Sequence, residues 1–270
     1  MTHVTSPPRE RIESGLRPYF VLGDRRLALY QGDSLEILEG LELEDSVHLI
    51  FADPPYFLSN GGITCQSGEM VSVNKGDWDR LDSIDAMHEF NRRWLALCRR
   101  LLRGNGTIAV SGTHHVIYSI GFAMQQLGFK ILNVITWEKP NPPPNLSCRY
   151  FTHSTETVLW AAKNHKSKHT FNYDLMREVA GGKQMKSVWR MLPPQQREKA
   201  FGRHPTQKPI ELIERIILAA TKEGDVVCDP FLGSGTTALA ALRTNRRCIG
   251  IEIDPTFIDL TIQRVNALVA

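Results

Sequence analysis

What most constrains the fold is a rhythm. Short apolar runs alternate with helical stretches from Tyr19 to the end of the chain, as LALYQGD (27–33), VHLIFADPPY (47–56), TIAVSG (107–112), ILNVITWEK (131–139), ETVLWAAK (156–163), DVVCDPF (225–231) and RCIGIEID (247–254). Runs that are apolar throughout, rather than alternating, are buried on both faces, and helices between them supply the cover. This predicts an α/β fold, a doubly wound and mostly parallel sheet. Ligands of such sheets sit at the carboxyl ends of the strands. A helix beginning at SLEILEGL is expected to take Ser34 as its N-cap, and AMHEFNRRWLALCRRLL (86–102) is expected to be an amphipathic helix.

Two of these runs end in a carboxylate and a proline. Asp53-Pro54-Pro55-Tyr56 closes the second run, and a fixed string of four residues arises by chance about once in 10^5 positions. The chemistry that suits it is activation of an aromatic amine, a poor nucleophile because its lone pair is delocalised into the ring. Asp53 can accept one N–H and the Pro54 carbonyl the other, favouring the tetrahedral nitrogen that attacks an electrophile. The prolines stiffen the turn, and Tyr56 offers a ring face to an unstacked base. Asp229-Pro230-Phe231-Leu232-Gly233-Ser234-Gly235-Thr236-Thr237 closes a later run and opens a helix. Gly233 and Gly235 let the backbone approach a ligand, beside the unpaired N–H groups of a helix start. No lysine follows the last glycine, so this is not a Walker loop. The pattern satisfies G-x-G-x-x-A, with Glu252 at the end of the next run placed for ribose hydroxyls, which leaves a nicotinamide oxidoreductase open as a rival. Asp229 argues against it: a carboxylate there suits a cationic amino-acid group and repels a pyrophosphate.

The charge is unevenly placed. Residues 163–203 hold ten Lys/Arg against three Asp/Glu, so the rest of a chain whose formal charge is +3 is net acidic. A basic insert between two motif-bearing halves points to nucleic acid, with Asn172, Lys183, Gln184, Lys186 and Arg190 as candidate DNA contacts. The alternative is a solvated surface excursion. The five cysteines are scattered without C-x-x-C spacing, which argues against a disulfide framework or zinc site and fits a reducing cytoplasm. No metal is expected. No apolar run approaches the ~20 residues of a membrane span, and the N-terminus lacks a signal-peptide core. Residues 57–80, rich in Gly, Ser and Asn, are expected to form a mobile loop, with Trp78 closing over a base or anchoring the loop.

Together these motifs resemble the amino-methyltransferases of bacterial restriction–modification systems. The order, catalytic motif before cofactor motif, is similar to the circularly permuted β class. The resemblance extends to Gln31-Gly32-Asp33-Ser34, whose Asp33 approaches the cofactor adenine, and to FTHSTETVLWAAK (151–163). It also covers His204-Pro205-Thr206-Gln207-Lys208-Pro209, which borders the methionine moiety, and GIEID (250–254). It implies S-adenosylmethionine as cofactor, bound by Asp33, Asp53, His204, Thr206, Lys208, Asp229, Phe231, Gly233, Ser234, Gly235, Thr236, Thr237 and Glu252. It implies a flipped base in DNA as acceptor, adenine N6 before cytosine N4, frequently a homodimer, and a partner restriction endonuclease in a bacterial or phage-encoded system. The division expected is a flexible arm (1–18), a catalytic half (19–162), a recognition segment (163–203) and a cofactor-binding half (204–270). An RNA or protein amine methyltransferase, and a DNA-binding regulator without catalysis, remain as rivals. No cysteine follows a proline, so the nucleophile of C5-cytosine chemistry is absent.

Overall fold

The computed structural model describes residues 16–57, 63–66, 69–72, 83–202 and 204–270. Along the chain lie β1 (Phe20–Val21), β2 (Leu27–Gln31), α1 (Ser34–Gly40), β3 (Val47–Ala52), β4 (Ile63–Gln66), β5 (Glu69–Ser72), α2 (Ile84–Leu101) and β6 (Leu102–Gly112). They are followed by α3 (Ile117–Gln126), β7 (Lys130–Glu138), β8 (Thr155–Ala162), α4 (Tyr173–Val179) and β9 (Val188–Arg190). The chain then adds α5 (Ile210–Ala220), β10 (Val226–Asp229), α6 (Thr236–Arg243), β11 (Arg247–Glu252) and α7 (Pro255–Val269). One sheet runs in the order β1-β2-β11-β10-β3-β6-β8-β7-β9, and β4 and β5 form a separate antiparallel pair.

Strands β2, β11, β10, β3 and β6 are parallel, whereas β8 runs against both its neighbours. The period of two in each strand divides the core into two layers. Leu49 and Phe51 of β3 pack on one face with Leu212, Ile216 and Ile217 of α5 and Ile258 and Val265 of α7. Ile50 and Ala52 face the other way, towards Leu38, Trp94, Leu101 and Ile120 of α1, α2 and α3. For α2 the buried stripe decides its position. Trp94, Leu95 and Leu101 are wholly inaccessible, worth about 1.5–3 kcal/mol each, against about 1 kcal/mol for the Ser83 cap on Ala86 N.

The connections decide where a ligand binds. From β3 the chain passes through α2 to β6 on one side, and from β10 through α6 to β11 on the other. Between β3 and β10, paired in parallel at Val227–Leu49 and Cys228–Ile50, the winding reverses. Asp53 and Asp229 therefore leave adjacent strands at the topological switch point.

Two sequence expectations change. The N-cap of α1 is Asp33 and not Ser34: Asp33 Oδ1 accepts from Leu35 N at 2.9 Å and Glu36 N at 3.1 Å, while Ser34 Oγ donates to the Pro230 carbonyl at 2.5 Å. The stretch expected to be a loop contains the β4–β5 hairpin; Trp78 lies outside the described residues, as do residues 1–15 of the expected N-terminal arm. The cysteines at 98, 148, 228 and 248 are free. Among the described residues no helix is long and apolar enough to cross a membrane.

Candidate active site

A cavity of about 250 Å³ opens at the switch point. It is lined by Asp53, Pro54, Pro55 and Tyr56 from the end of β3, by residues of the 229–237 turn, and by Glu252 and Asp33 from the ends of the paired strands β11 and β2. His204, Thr206 and Lys208 line it from the segment before α5. The two strand-end motifs, far apart in sequence, thus face one space.

The turn after β10 is built around its carboxylates. Asp229 is 2 % exposed; its Oδ1 accepts from Phe231 N at 2.9 Å and its Oδ2 from the Thr237 hydroxyl at 2.5 Å. Even so, burial pushes its carboxyl up to about 7, with Asp53 and Glu252 adding like charge. Glu252 Oε2 accepts from Gly233 N at 2.7 Å and Oε1 from Asp254 N at 2.9 Å, and burial raises it too. Gly235 does not line the cavity. It sits at φ +78°, and a Cβ there would stand 2.4 Å from Thr261 Cγ2 on α7, so only glycine fits between α6 and α7. Arg264, also on α7 and unread in the sequence, is buried beneath the same turn and bonds the Ser234 carbonyl and, at 3.3 Å, Thr236 Oγ1. Burial brings its guanidinium down to about 10. Phe231 contributes a wall, edge-on to Trp94 at 5.4 Å. Phe257 contributes another, edge-on to His204 at 4.3 Å.

At the catalytic corner both oxygens of Asp53 are engaged. Tyr56 OH donates to Oδ1 at 2.6 Å and Lys208 Nζ to Oδ2 at 2.5 Å. The ammonium is 5 % exposed and also lies 3.6 Å from Glu156 Oε2, while Lys139 Nζ bonds Glu156 Oε1 at 2.5 Å. Burial drives Asp53 above the ordinary carboxylate range, opposed by Lys208. Burial would lower Lys208, but the carboxylates of Asp53 and Glu156 and the Tyr56 hydroxyl outweigh it and hold it well above its usual value. Burial would raise Glu156; the cations Lys208 and Lys139 bring it below instead. Sequence reasoning places Lys208 near the cofactor and misses Glu156 and Lys139. A signal is present: Glu156 shares strand parity with buried Val158 and Trp160, so its side chain turns inward.

The expected DNA contacts separate. Asn172 is withdrawn: its Nδ2 donates to Leu218 O at 2.6 Å and Thr221 O at 2.8 Å, stapling the segment to the end of α5. Lys183, Gln184, Lys186 and Arg190 are exposed. Because β8 is antiparallel, the basic segment starts at the edge of the sheet away from Asp53. Lys163 Nζ there bonds Asp45 and the Leu102 carbonyl, each at 2.5 Å, and Ser167 Oγ donates to Gly104 O. The chain returns along β9, whose Arg190 lies 3.8 Å from Glu138 at the end of β7. At the catalytic edge lies a ring surface that the sequence leaves unassigned. His114 stacks on His153 at 4.6 Å, Tyr150 lies tilted against His153 at 5.3 Å, and Phe151 is 96 % exposed. Among the described residues, no three His, Cys, Asp or Glu are grouped to hold a metal ion.

Comparison with known proteins places this geometry. The chain is 54% identical to the Type II methyltransferase M2.DpnII of Streptococcus pneumoniae over 252 residues, 93% of each chain. It is 48% identical to the Type II methyltransferase M2.MboI of Moraxella bovis over 253 residues, 94% of this chain and 92% of the relative. A solved M1.HpyAVI–SAM complex superposes with a TM-score of 0.68 at 28% identity, covering 89% of this chain and 99% of that one. The fold is shared with the cytosine-N4-specific PvuII DNA methyltransferase, TM-score 0.70 at 21% identity over 93% of this chain and 89% of that one. Residues 47–263, a span holding both motifs, match the N6/N4 methyltransferase family of DNA methylases, and the chain belongs to that family.

Proposed function

We propose that the protein transfers the methyl group of S-adenosylmethionine to the N6 amine of an adenine flipped out of DNA. The observation that carries this reading is that Asp53-Pro54-Pro55-Tyr56 and the Asp229–Thr237 turn line one cavity. The donor set fits the cofactor. Asp229 and Glu252 offer carboxylates to an ammonium and to hydroxyl groups, and Phe231 and Phe257 offer apolar walls. Asp33, with Oδ1 committed to the α1 cap, also lines the cavity. His204 packs against Phe257 and beneath Gly233, which supports a lining role and not acid–base work.

The cofactor supplies an electrophilic methyl group on sulfonium. This chain's residues make the amine a nucleophile and hold it in place. Asp53 accepts one N–H and the Pro54 carbonyl the other; Tyr56, fixed by its hydroxyl on Asp53, presents its ring to the base. As the N–CH3 bond forms and the S–CH3 bond breaks, the nitrogen loses a proton to Asp53 and then to water. Much of the acceleration comes from positioning. DNA is met by exposed Lys183, Gln184, Lys186 and Arg190 and by the ring surface of His114, Tyr150, Phe151 and His153, where bases stack at about 1–3 kcal/mol each.

From the resemblance this reading also takes a homodimer, a partner endonuclease and a bacterial cytoplasm. Sedimentation of the purified protein, with and without the nuclease, tests the first two. The reaction is tested by incubating unmethylated DNA with methyl-tritiated cofactor and analysing the nucleosides. Label in N6-methyladenine is expected; label in N4-methylcytosine, or in RNA instead of DNA, would overturn the assignment.

A further inference from the structure

Each oxygen of Asp53 already accepts one bond, Oδ1 from Tyr56 and Oδ2 from Lys208. Lone pairs remain, but an ammonium resting on Oδ2 neutralises that oxygen and weakens it as an acceptor for an incoming amine. The lysine has somewhere to go. Its Nζ donates to Asp53 Oδ2 at 2.5 Å and to the Thr206 carbonyl at 3.1 Å, and an ammonium has a third N–H. Glu156 Oε2 lies 3.6 Å from the same nitrogen, buried and with no hydrogen-bond donor among the described residues. A buried carboxylate oxygen without a donor is unfavourable, and a shift of roughly 1 Å would bring the ammonium to charge-assisted bonding distance. Lysine makes such a shift readily, since its charge rides on a flexible four-carbon stem. Tyr56 stays on Oδ1, where its hydroxyl bond fixes the ring that faces the base.

The charges balance before and after the shift. Asp53 and Glu156 face Lys208 and Lys139, two of each sign, and Lys139 stays bound to Glu156 Oε1. Moving the ammonium from one acid to the other separates no new charge, which matters in a site of low dielectric. We propose that Lys208 is a movable counter-ion, resting on Asp53 in the absence of a target base and passing to Glu156 when an amine N–H claims Asp53 Oδ2. Glu156 is then a positioning residue for methyl transfer, acting through Lys208 and never touching the base. The idea rests on the amino-methyltransferase reading and adds to it a reason for a buried acid on β8.

The test is a double-substitution cycle with Glu156→Gln and Lys208→Gln, read as single-turnover methyl transfer to unmethylated DNA, with cofactor affinity titrated separately. Glu156→Gln alone strands the ammonium on Asp53. Its transfer rate is expected to fall about tenfold or more, with cofactor affinity held within about threefold. In the Lys208→Gln background the same substitution is expected to change the rate by less than about twofold, because no ammonium remains to be moved. Equal losses from Glu156→Gln in both backgrounds would show a merely structural acid and overturn the proposal, as would no loss in the wild type. Should Glu156→Gln fail to fold, Glu156→Asp carries the same cycle: its loss, too, must vanish when Lys208 is Gln. Transfer by the unmodified protein separates the two levels. Activity with an additive cycle sinks the counter-ion alone, whereas no transfer to DNA sinks the parent reading and the counter-ion with it.

Discussion

Burial moves the Asp229 carboxyl well out of its ordinary range. Its folded-state value is pushed up to about 7 from an ordinary 3.8, chiefly by burial. Between those values the folded protein holds a proton that the unfolded chain has released, so stability is lost as the pH rises from about 4 to 7. Asp53 and Glu252, also raised by burial, act with the same sign. Asp229→Asn removes one share of this slope. Thermal unfolding of cofactor-free protein should show the variant gaining on the wild type between pH 5 and pH 8, by about 1–3 kcal/mol. A constant difference across that range would mean that Asp229 is ionised throughout. An ammonium bound beside it would offset the same penalty, which is how this turn would hold the cofactor's amino group under the proposed function. Asn172 makes the opposite point at this scale. A polar residue in a basic segment reads as a base contact, yet its amide is spent on two carbonyls of α5 and the turn that follows it. Asn172→Ala should cost about 1–2 kcal/mol of stability and leave DNA affinity unchanged. Weaker DNA binding at full stability would restore the assignment to DNA.

The elements show why some features can be read from residues and others cannot. Strands β2, β3, β10 and β11 are legible because each apolar run ends in Asp, Gly or Pro, and the 229–237 turn because its glycines answer a local backbone demand. β9 has only three residues and exists through parallel pairing with β7, some fifty positions away in sequence, which no local pattern encodes. The β4–β5 hairpin lacks an apolar run and reads as loop for the same reason. Glu156 reads as the start of a strand and no more, although its parity with Val158 and Trp160 turns it inward. The seam between α6 and α7 is the sharpest constraint at this scale, with Gly235 against Thr261. Gly235→Ala combines positive φ with a clash and should lower stability by about 2–4 kcal/mol and weaken cofactor binding. Gly104→Ala, with nothing within 4 Å of the added carbon, is the control and should change neither. A tolerant Gly235 would mean that α7 can move off the turn.

Over the whole molecule the winding reverses between β3 and β10, and that reversal brings a carboxylate from each half of the sequence to one cavity. The halves are legible in the sequence because each carries its own strand-end motif; their convergence follows from the parallel order of the sheet. The basic segment is harder to place. Its surplus charge is plain in the sequence, but the antiparallel turn of β8 sends its first part to the far edge, so charge alone does not say which cations face DNA. Removing Lys183 or Lys186 should reduce the salt dependence of DNA binding by about one unit of slope for each lysine–phosphate pair abolished. An unchanged slope would mark that lysine as solvated. The central claim, that Asp53 drives transfer through the acceptor amine although it also lines the cofactor cavity, is tested most directly by Asp53→Ala. Single-turnover transfer to DNA should fall by about a thousandfold or more, while calorimetric cofactor affinity stays within about threefold of wild type. Near-wild-type transfer, or loss of cofactor binding in step with activity, would contradict it.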